Sequence, residues 1–361
     1  MDARCDLAII GAGVVGCALA EALSRQPGDQ TIWVLEAAEQ AGTGISSRNS
    51  GVVHAGLYYP PGSRKARMCI EGNAKLWDWV GAHGVGHART GKLVVACDED
   101  QRAGIEPLLA NARASGAELE PIRLARAREL EPELPATIRA ALWSPRSGIV
   151  DAHGLVRSLQ HAAERGGVEF AFQASVTALE PCPGGFRLET TRGALVAERV
   201  INAAGLGANA LAAALGLDQP LYLARGDYFR LRRPRPWRRL IYPIKAPGSP
   251  SLGVHLTLEL DGRARLGPDL EWIEREDLSP ARGERKLERF VAAAARLLGP
   301  CRPEDLVYDG CGIRPKLVGP GEALADFEIV VEPAGCWHLL GIESPGLTAS
   351  LALAEELASE L

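Results

Sequence analysis

Four residues near the N-terminus have the types and the spacing that a bound dinucleotide requires. Gly11, Gly13 and Gly16 form the pattern G-x-G-x-x-G, and Glu36 follows the last of them by twenty residues. Gly11 allows a tight turn, Gly13 lets the backbone approach a pyrophosphate, and Gly16 lets a helix pack closely on a strand. A carboxylate at position 36 can accept hydrogen bonds from a ribose hydroxyl and disfavours a 2′-phosphate. These residues therefore indicate a dinucleotide-binding site.

The surrounding sequence predicts the elements that position these residues. The apolar run 7–10 reads as a buried strand, a helical run continues through Leu23, and a second apolar run, 31–35, ends at Glu36. Strand, glycine turn, helix, strand and acid together make the full dinucleotide-binding context, whereas an isolated glycine pattern would be weak evidence. An accidental glycine turn in an α/β domain is the alternative, and the presence of all five parts disfavours it.

Two further segments suggest contacts with an anion. Residues 42–51 are rich in glycine and hydroxyl side chains and contain Arg48, so they can supply donors to a second phosphate; a plain surface turn is the alternative. Residues 63–80 predict a helix with Arg64, Lys65 and Arg67 in its first turn. Basic side chains are unfavourable near a helix N-terminus unless an anion is nearby, which hints at an anionic ligand. A solvated basic turn is the other interpretation.

The order of predicted elements indicates an α/β fold with an α+β second layer. A Rossmann-like nucleotide domain is expected from residues 1–80, 145–220 and 300–361, where strands alternate with helices. A substrate domain built on an antiparallel sheet is expected from residues 81–144 and 221–299. This layout predicts a ligand between the domains, at the carboxyl ends of the nucleotide-domain strands.

The composition excludes several classes of protein. The chain is 47% hydrophobic and 24% charged, with a net charge of −5, and no basic stripe is interleaved with aromatics as in a nucleic-acid surface. The arginine-rich segment 230–239 is broken by Pro234 and Pro236 and predicts a solvated loop. The cysteines lack zinc-ligand spacing. Without a membrane span or room for a signal peptide, we predict a soluble cytoplasmic protein, with peripheral membrane attachment left open.

Segments spread over nearly the whole chain carry a family resemblance. They are GAGVVG at 11–16, SSRNSGVVHAGLYYPPGSRKARMC at 46–69, GIVD at 148–151, NAAG at 202–205, LGVHLT at 252–257, GPD at 267–269, GIRPKL at 312–317 and ESPGLTASLA at 343–352. In these segments the chain resembles the flavin oxidoreductases of the D-amino-acid oxidase and glycerol-3-phosphate dehydrogenase superfamily. Within that superfamily it is most similar to L-2-hydroxyglutarate dehydrogenases and oxidases.

The resemblance implies non-covalent FAD as the cofactor and the oxidation of a 2-hydroxy acid, in this subfamily L-2-hydroxyglutarate to 2-oxoglutarate. The residues that it assigns to the cofactor, besides the glycine turn, are Glu36 at the adenosine ribose, Ser46, Ser47 and Arg48 along the phosphates and ring system, Val176 at the adenine, Ala204 and Gly205 beside the pyrophosphate, and Gly312, Gly346, Leu347 and Thr348 near the isoalloxazine.

Oxidation of a 2-hydroxy acid needs a base for the hydroxyl proton, a cation for the carboxylate and a hydride acceptor. Histidine suits the base near neutral pH, and His255 is the first candidate because its strand is expected to face the flavin. His54, which follows the flavin loop, is the rival. Arg314 resembles the arginine that pins the substrate carboxylate in the superfamily. Candidates for a distal carboxylate are Arg64, Lys65, Arg225 and Lys316, with Tyr59 or Tyr228 as hydroxyl donors.

Two other functions compete with this hypothesis. An amine-oxidising relative would act on an amino acid with the same cofactor. A flavin protein that modifies RNA, or a non-catalytic redox sensor, would belong to another class; the lack of a basic surface and of a paired reactive cysteine argues against both. The electron acceptor stays open among oxygen, a quinone and an electron-transfer protein.

Overall fold

The computed structural model describes residues 3–232, 236–245 and 252–361. The strands in these ranges are β1 Ala3–Ile10, β2 Ile32–Leu35, β3 Val52–Val53, β4 His87–Ala88, β5 Lys92–Ala96, β6 Glu120–Ile122, β7 Ala140–Ser144, β8 Gly148–Val150, β9 Glu169–Ala171, β10 Val176–Cys182, β11 Gly185–Thr190, β12 Gly193–Asn202, β13 Tyr222–Leu231, β14 Leu240–Pro243, β15 Leu256–Leu258, β16 Ala264–Leu266, β17 Glu271–Ile273, β18 Leu306–Lys316, β19 Glu328–Val331 and β20 Cys336–Leu340. The α-helices are α1 Val14–Ser24, α2 Arg64–Ala82, α3 Glu99–Arg102, α4 Ile105–Ser115, α5 Leu124–Leu130, α6 Ala152–Arg165, α7 Ala208–Ala214, α8 Pro280–Glu284, α9 Leu287–Leu298 and α10 Gly346–Glu360. Short 3₁₀ turns occupy Ile45–Ser47, Gly205–Gly207 and Pro303–Asp305.

The first sheet has the parallel order of a nucleotide-binding fold. Strands β20, β12, β1, β2 and β9 are neighbours and all run parallel, while the hairpin of β10 and β11 adds to one half of β12. Helix α1 packs between α6 and α10, and every residue of α1 except Ser24 is buried. A helix that is apolar on nearly all sides belongs in a core, which explains the run of apolar and small residues from Val14 to Ala20. The predicted Rossmann-like fold is confirmed.

The second sheet is mixed, which corrects the antiparallel prediction. Its strand order is β17-β13-β16-β15-β14-β5-β7-β6, with β18 on the other edge of β13. All of its pairs are antiparallel except β5 with β14. Strand β18 belongs to the segment 300–361 that the predicted division gave to the nucleotide domain, yet it pairs with β13 along its length. The two-domain division itself remains a proposal.

Several predicted elements have different bounds in the structure, each for a local reason. The helix predicted for 99–115 is α3 followed by α4; Gly104 lies between them, where a Cβ would lie 2.5 Å from the carbonyl oxygen of Lys245. The strands predicted at 305–308 and 312–315 are one strand, β18, with an irregularity in its pairing to β13 between Tyr228 and Phe229. Asp151 occupies the N-cap position of α6, but its side chain makes no capping hydrogen bond.

No helix in the described ranges is long and apolar enough to cross a bilayer. The prediction for the arginine-rich segment 230–239 depends on residues 233–235, which lie outside the part of the chain that the structure describes.

Candidate active site

A large cavity lies where the two sheets meet. Its volume is about 1150 Å³, larger than the roughly 300–1,000 Å³ of a typical small-molecule pocket. One side is formed by the carboxyl ends of β1, β2 and β12, and the other side by β13, β14 and β18. The cavity therefore lies at the end of the parallel sheet where nucleotide-binding folds hold their ligand.

The glycine turn has room for backbone only. Gly11 has a φ of +101°, and a Cβ there would lie 2.7 Å from the carbonyl oxygen of Ala203. A Cβ on Gly16 would lie 1.9 Å from the carbonyl oxygen of Gly11, so α1 can cross β1 closely only with glycine at this position. Gly13 is the N-cap of α1 and has no side-chain cap. The Val14 amide instead donates to Ser46 Oγ at 2.9 Å, which joins the loop 42–51 to the start of α1.

Glu36 lines the cavity at the end of β2. One of its carboxylate oxygens accepts the Ala12 amide at 2.7 Å, and the other accepts the Ala38 amide at 2.9 Å. These two bonds hold the carboxylate beside the glycine turn. Each oxygen keeps acceptor capacity for a further donor, such as a ribose hydroxyl.

The other cofactor candidates that line the cavity come from five segments: the loop 42–51, strand β10, the turn after β12, strand β18 and the start of α10. A Cβ on Gly312, in β18, would lie 2.3 Å from the carbonyl oxygen of Arg48, so β18 and the loop 42–51 approach each other here at backbone distance. The candidates on the cavity wall are Gly11, Gly13, Glu36, Ser46, Arg48, Val176, Ala204, Gly205, Gly312, Gly346 and Leu347. This cradle of backbone, small residues and one carboxylate fits an elongated dinucleotide.

Three cofactor candidates do not line the cavity: Gly16, which packs α1 on β1, Ser47 and Thr348. The Ser47 hydroxyl donates to the carbonyl oxygens of Thr43 and Gly44, so it closes its own turn. Thr348 is fully buried within α10. Its hydroxyl accepts the His54 amide at 3.0 Å and donates to the carbonyl oxygen of Val52. In this structure Ser47 shapes the loop and Thr348 positions His54, and a contact of either residue with the cofactor stays a prediction.

His54 lies on the cavity wall with its backbone fixed on both sides. Its carbonyl oxygen accepts the side-chain amide of Asn73, and its Nε2 lies 3.4 Å from Ser344 Oγ. Burial lowers the pKa of His54 well below 6.5, and the nearby charges of Lys92 and His255 lower it further. His54 is therefore a neutral imidazole at physiological pH.

His255 also lines the cavity, but it precedes β15 rather than lying within a strand, which corrects the predicted alternation along 252–260. Its Nδ1 lies 3.0 Å from the carbonyl oxygen of Gly253, a contact that requires the proton on Nδ1 and leaves Nε2 as an acceptor. Burial lowers the pKa of His255 to about 3, although the Gly253 bond opposes this. Lys92 and Arg314 add to the lowering.

Arg314 projects from β18 onto the cavity wall. Its Nη1 donates to the carbonyl oxygen of Asp269 at 3.4 Å, a long bond that leaves most of its donors for a ligand. Asp269 is held in turn by the Asp227 amide at 2.8 Å, and Lys286 contacts both carboxylates. The guanidinium is thus anchored at one edge by a residue that belongs to an ionic network with Asp227 and Lys286.

Lys65 and Lys316 lie together on the cavity wall and share one carboxylate. Both Nζ atoms contact Glu343 Oε1, at 3.0 and 2.9 Å, and Lys65 Nζ also donates to the carbonyl oxygen of Ala325. The two ammonium groups hold the pKa of Glu343 below its usual value even though burial opposes this. Among the hydroxyl candidates, Tyr59 reaches Ser344 Oγ at 3.3 Å and Tyr228 faces the cavity from β13.

Arg64 and Arg225 do not line the cavity, and we remove them from the substrate candidates. Arg225 is fully buried and spends its donors on Asp227, Tyr308 and two backbone carbonyls. Arg64 pairs with Glu356 through its side chain. The amides of Arg64 and Lys65 donate to Asp326, so the anion expected at this helix start is supplied by the chain itself.

Three residues near the histidines were not predicted as part of the site: Tyr58, Lys92 and Tyr242. The tyrosines line the cavity, and Lys92 Nζ lies 4.1 Å from the centre of the Tyr242 ring. The sequence did contain an indication of the position of Lys92, because this lysine begins the strand 92–96, whose residues are buried. Lysine is almost never fully buried without a partner.

The arrangement brings together two neutral histidines, a guanidinium and two lysines in one largely buried space. A neutral imidazole can accept a hydroxyl proton, and a guanidinium can bind a carboxylate with two parallel hydrogen bonds. The site can therefore bind a small organic acid and remove a proton from it beside a bound dinucleotide. No cluster of histidine, cysteine and carboxylate side chains suited to a metal ion occurs among the described residues.

Comparison with curated proteins finds relatives along the whole chain. L-2-hydroxyglutarate dehydrogenase of Arabidopsis thaliana, a mitochondrial protein, is 35% identical over 99% of this chain and 83% of its own length. The bacterial protein of the same name from Salmonella houtenae is 30% identical over 99% of this chain and 93% of its own length.

Solved structures agree in fold. L-α-glycerophosphate oxidase from Mycoplasma pneumoniae, with FAD bound, superposes with a TM-score of 0.87 at 22% identity and covers 99% of this chain and 95% of its own. Glycine oxidase from Geobacillus kaustophilus gives a TM-score of 0.84 at 22% identity, with 99% and 94% covered. The family model described as FAD dependent oxidoreductase (DAO) matches residues 6–360. The chain belongs to this family of FAD-dependent oxidoreductases.

Proposed function

We propose that the protein oxidises L-2-hydroxyglutarate to 2-oxoglutarate with FAD as its cofactor. Relatives named L-2-hydroxyglutarate dehydrogenase at 35% and 30% identity support the substrate. The observation that carries the proposal is that His54, His255 and Arg314 line the same cavity as the glycine turn. A base and a carboxylate anchor therefore face the space in which the cofactor binds.

In this proposal Arg314 binds the carboxylate next to the reacting carbon. Its position near the C-terminal end of β18 fixes the guanidinium, since Asp269 anchors one edge and the neighbouring strand β13 supports the backbone. A planar guanidinium sets the rotation of a carboxylate as well as its position. The hydroxyl group on the adjacent carbon is thereby directed rather than free to turn.

One of the two histidines accepts the hydroxyl proton. Nε2 of His255 is the acceptor of choice because its Nδ1 proton is already committed to Gly253. FAD, when bound, supplies the two-electron acceptor for the hydrogen on the same carbon. The bound carboxylates favour protonated imidazole, so they raise the low pKa of the free histidine when the substrate is present.

The cofactor assignments also remain part of the proposal at the level of single residues. The turn at Gly11 and Gly13, the Glu36 carboxylate and the loop with Ser46 and Arg48 would hold the dinucleotide. We expect non-covalent binding. The cytoplasmic location and the electron acceptor, whether oxygen, a quinone or an electron-transfer protein, stay predictions.

An anaerobic substrate screen tests the proposal and its amine-oxidising rival together. The purified holoenzyme is mixed with L-2-hydroxyglutarate, D-2-hydroxyglutarate or L-glutamate, and bleaching of the flavin absorbance is followed. We expect rapid bleaching with the first compound only. Bleaching by L-glutamate in preference to L-2-hydroxyglutarate would replace the proposed reaction with an amine oxidation.

A further inference from the structure

The segment 267–269 joins strands β16 and β17 beside the cavity. Strand β13 pairs with β16 at Phe229 and with β17 at Arg225, and the segment spans the step between these two pairings. Its backbone groups are therefore available for hydrogen bonds outside the regular ladder of the sheet.

This segment contacts both of the residues that the proposed reaction requires. The Gly267 amide donates to the carbonyl oxygen of His255 at 2.9 Å. The carbonyl oxygen of Asp269 accepts Arg314 Nη1 at 3.4 Å. One segment of three residues therefore connects the first base candidate with the carboxylate anchor.

The guanidinium of Arg314 lies close to Gly226 of β13. A Cβ on Gly226 would lie 2.9 Å from Arg314 Nη2. The same Cβ would lie 2.7 Å from Pro268 Cβ and 3.0 Å from the carbonyl oxygen of Asp269. The guanidinium and the segment thus share the space beside Gly226, so a shift of the segment would also move Arg314.

The place of the segment depends on the side chain of Asp269, which is 0% exposed. One carboxylate oxygen accepts the Asp227 amide at 2.8 Å, and the other lies 3.1 Å from Lys286 Nζ. Lys286 Nζ also lies 2.7 Å from a carboxylate oxygen of Glu271, at the start of β17. Removal of the Asp269 carboxylate would leave a buried amide and a largely buried ammonium with one partner fewer, which is unfavourable.

We propose that Asp269 is a positioning residue: its buried carboxylate sets the place of segment 267–269 and thereby the spacing between His255 and Arg314. The inference rests on the proposed function and adds a residue that acts through two others. A 2-hydroxy acid carries its carboxylate and its hydroxyl on one carbon, so the anchor and the base must be spaced for a single ligand.

An effect of position has the opposite sign to an effect of charge. The negative charge of Asp269 lies near the Arg314 guanidinium. If charge alone mattered, its removal would strengthen the binding of an anionic ligand. Displacement of the guanidinium would instead weaken that binding. The direction of the change in Kd therefore separates the two explanations.

The main test is anaerobic stopped-flow reduction of the holoenzyme by L-2-hydroxyglutarate, which gives Kd and the limiting rate of reduction separately. For Asp269→Ala we expect Kd to rise and the limiting rate to fall, each on the order of tenfold, because a small misplacement of reacting groups is costly. Asp269→Asn keeps an acceptor for the Asp227 amide and should lie closer to wild type. Gly226→Ala should raise Kd by pressing on Arg314. FAD content should be unchanged in all three variants.

Two control variants separate this role from loss of stability. Glu131 is a buried carboxylate away from the cavity wall, and its Oε2 accepts the amides of Arg238 and Arg239 at 2.6 and 3.0 Å. Glu131→Ala should lower the Tm but leave Kd and the rate of reduction unchanged. Gly81→Ala is the control for Gly226→Ala, because a Cβ there meets nothing within 4 Å.

Double variants show whether Asp269 acts through Arg314 and His255. If it does, Asp269→Ala should raise Kd no further when Arg314 is already lysine. It should likewise slow reduction no further when His255 is already alanine. Effects that add in full in both cycles would overturn the positioning role.

Two measurements without turnover separate failure of this inference from failure of the proposed function. Glutarate, which lacks the hydroxyl, should raise the Tm of wild type more than that of Asp269→Ala. In crystal structures, the Arg314 guanidinium should be displaced in Asp269→Ala relative to wild type. If Asp269→Ala does not fold, Asp269→Asn and Gly226→Ala are compared in the same way.

An unmoved Arg314 together with equal or tighter glutarate binding in the variants would overturn the inference, even if L-2-hydroxyglutarate is the substrate. A wild-type holoenzyme that L-2-hydroxyglutarate does not reduce would remove the proposed substrate. Displacement of Arg314 in Asp269→Ala would support the positioning role in that case too.

Discussion

The imidazole of His255 stacks on the phenol ring of Tyr242, with ring centres 3.8 Å apart and planes inclined by 28°. The same imidazole is tied through Nδ1 to the carbonyl oxygen of Gly253. Stacking fixes the plane of the ring and the hydrogen bond fixes its rotation within that plane. A base held in this way presents one nitrogen, Nε2, in one direction.

Replacement of His255 should separate proton removal from binding. We expect His255→Ala to keep FAD and to bind the substrate, but to slow anaerobic flavin reduction by roughly 10²–10⁴, the usual contribution of a general base. His54→Ala is the matched comparison and should disturb the flavin spectrum more than the pH profile. If reduction survives in His255→Ala within a few-fold and collapses in His54→Ala, the two roles must be exchanged.

Because both histidines have low pKa values, we predict that kcat/KM does not decline at mildly acidic pH as it would with an ordinary histidine base. Burial lowers the pKa of His255 to about 3 and that of His54 well below 6.5, so both stay neutral and able to accept a proton down to mildly acidic pH. We expect kcat/KM to stay flat between about pH 7 and pH 5, with no inflection near the ordinary histidine value of about 6.5. Stopped-flow reduction across this range is the measurement. An acid limb centred at 6–7 would mean that another group is the base.

The same shifts set the sign of the stability change. The unfolded chain protonates these histidines near pH 6.5, whereas the folded protein does not, so the unfolded state binds more protons below that pH. Their contribution to the free energy of unfolding therefore falls as the pH drops from about 6.5 toward 3.

Arg314 should not be replaceable by another cation. Arg314→Lys keeps the charge but loses the two-pronged donor geometry, and we expect a loss on the order of 2–4 kcal/mol in transition-state binding. The loss is measured as the change in kcat/KM for L-2-hydroxyglutarate. Arg302→Lys, at a side chain that is 67% exposed, is the control and should be silent. Wild-type kcat/KM in Arg314→Lys would reject the carboxylate role.

The glycine turn should be intolerant of a side chain at its centre. A Cβ on Gly13 would lie 3.3 Å from Ser46 Oγ, so the branches of valine would press on the residue that holds the Val14 amide. We expect Gly13→Val to fold but to retain almost no FAD. In the control Gly81→Val, a Cβ meets nothing within 4 Å, and flavin content should be unchanged. Full flavin stoichiometry in a folded Gly13→Val protein would contradict the placement of the pyrophosphate.

Local pattern was sufficient to predict the nucleotide-binding half of the fold. The strand before Gly11, the helix after Gly13 and the acid at Glu36 are set by short-range sequence, because turn, helix and strand each depend on neighbouring residues. The parallel pairing of β5 with β14 was not predictable in this way. It joins residues about 150 positions apart, and no local signal records which strand lies beside which.

The candidate site shows the same limit at the level of side chains. Arg225 and Arg64 were plausible substrate ligands from residue type alone, but Asp227 and Glu356 occupy them in the folded protein. Lys92 was not predicted as a residue of the site because the other residues of its strand are apolar. Whether a cationic side chain is paired depends on residues that are distant in the sequence. Its pairing can therefore be determined only from the folded structure.

The central claim is that this cavity oxidises L-2-hydroxyglutarate with bound FAD, and anaerobic titration of the holoenzyme tests it most directly. Flavin absorbance is followed as L-2-hydroxyglutarate is added, and 2-oxoglutarate is quantified at the end point. We predict full bleaching with one 2-oxoglutarate formed per flavin reduced. A holoenzyme whose flavin stays oxidised with excess L-2-hydroxyglutarate, but is bleached by dithionite, would contradict the claim.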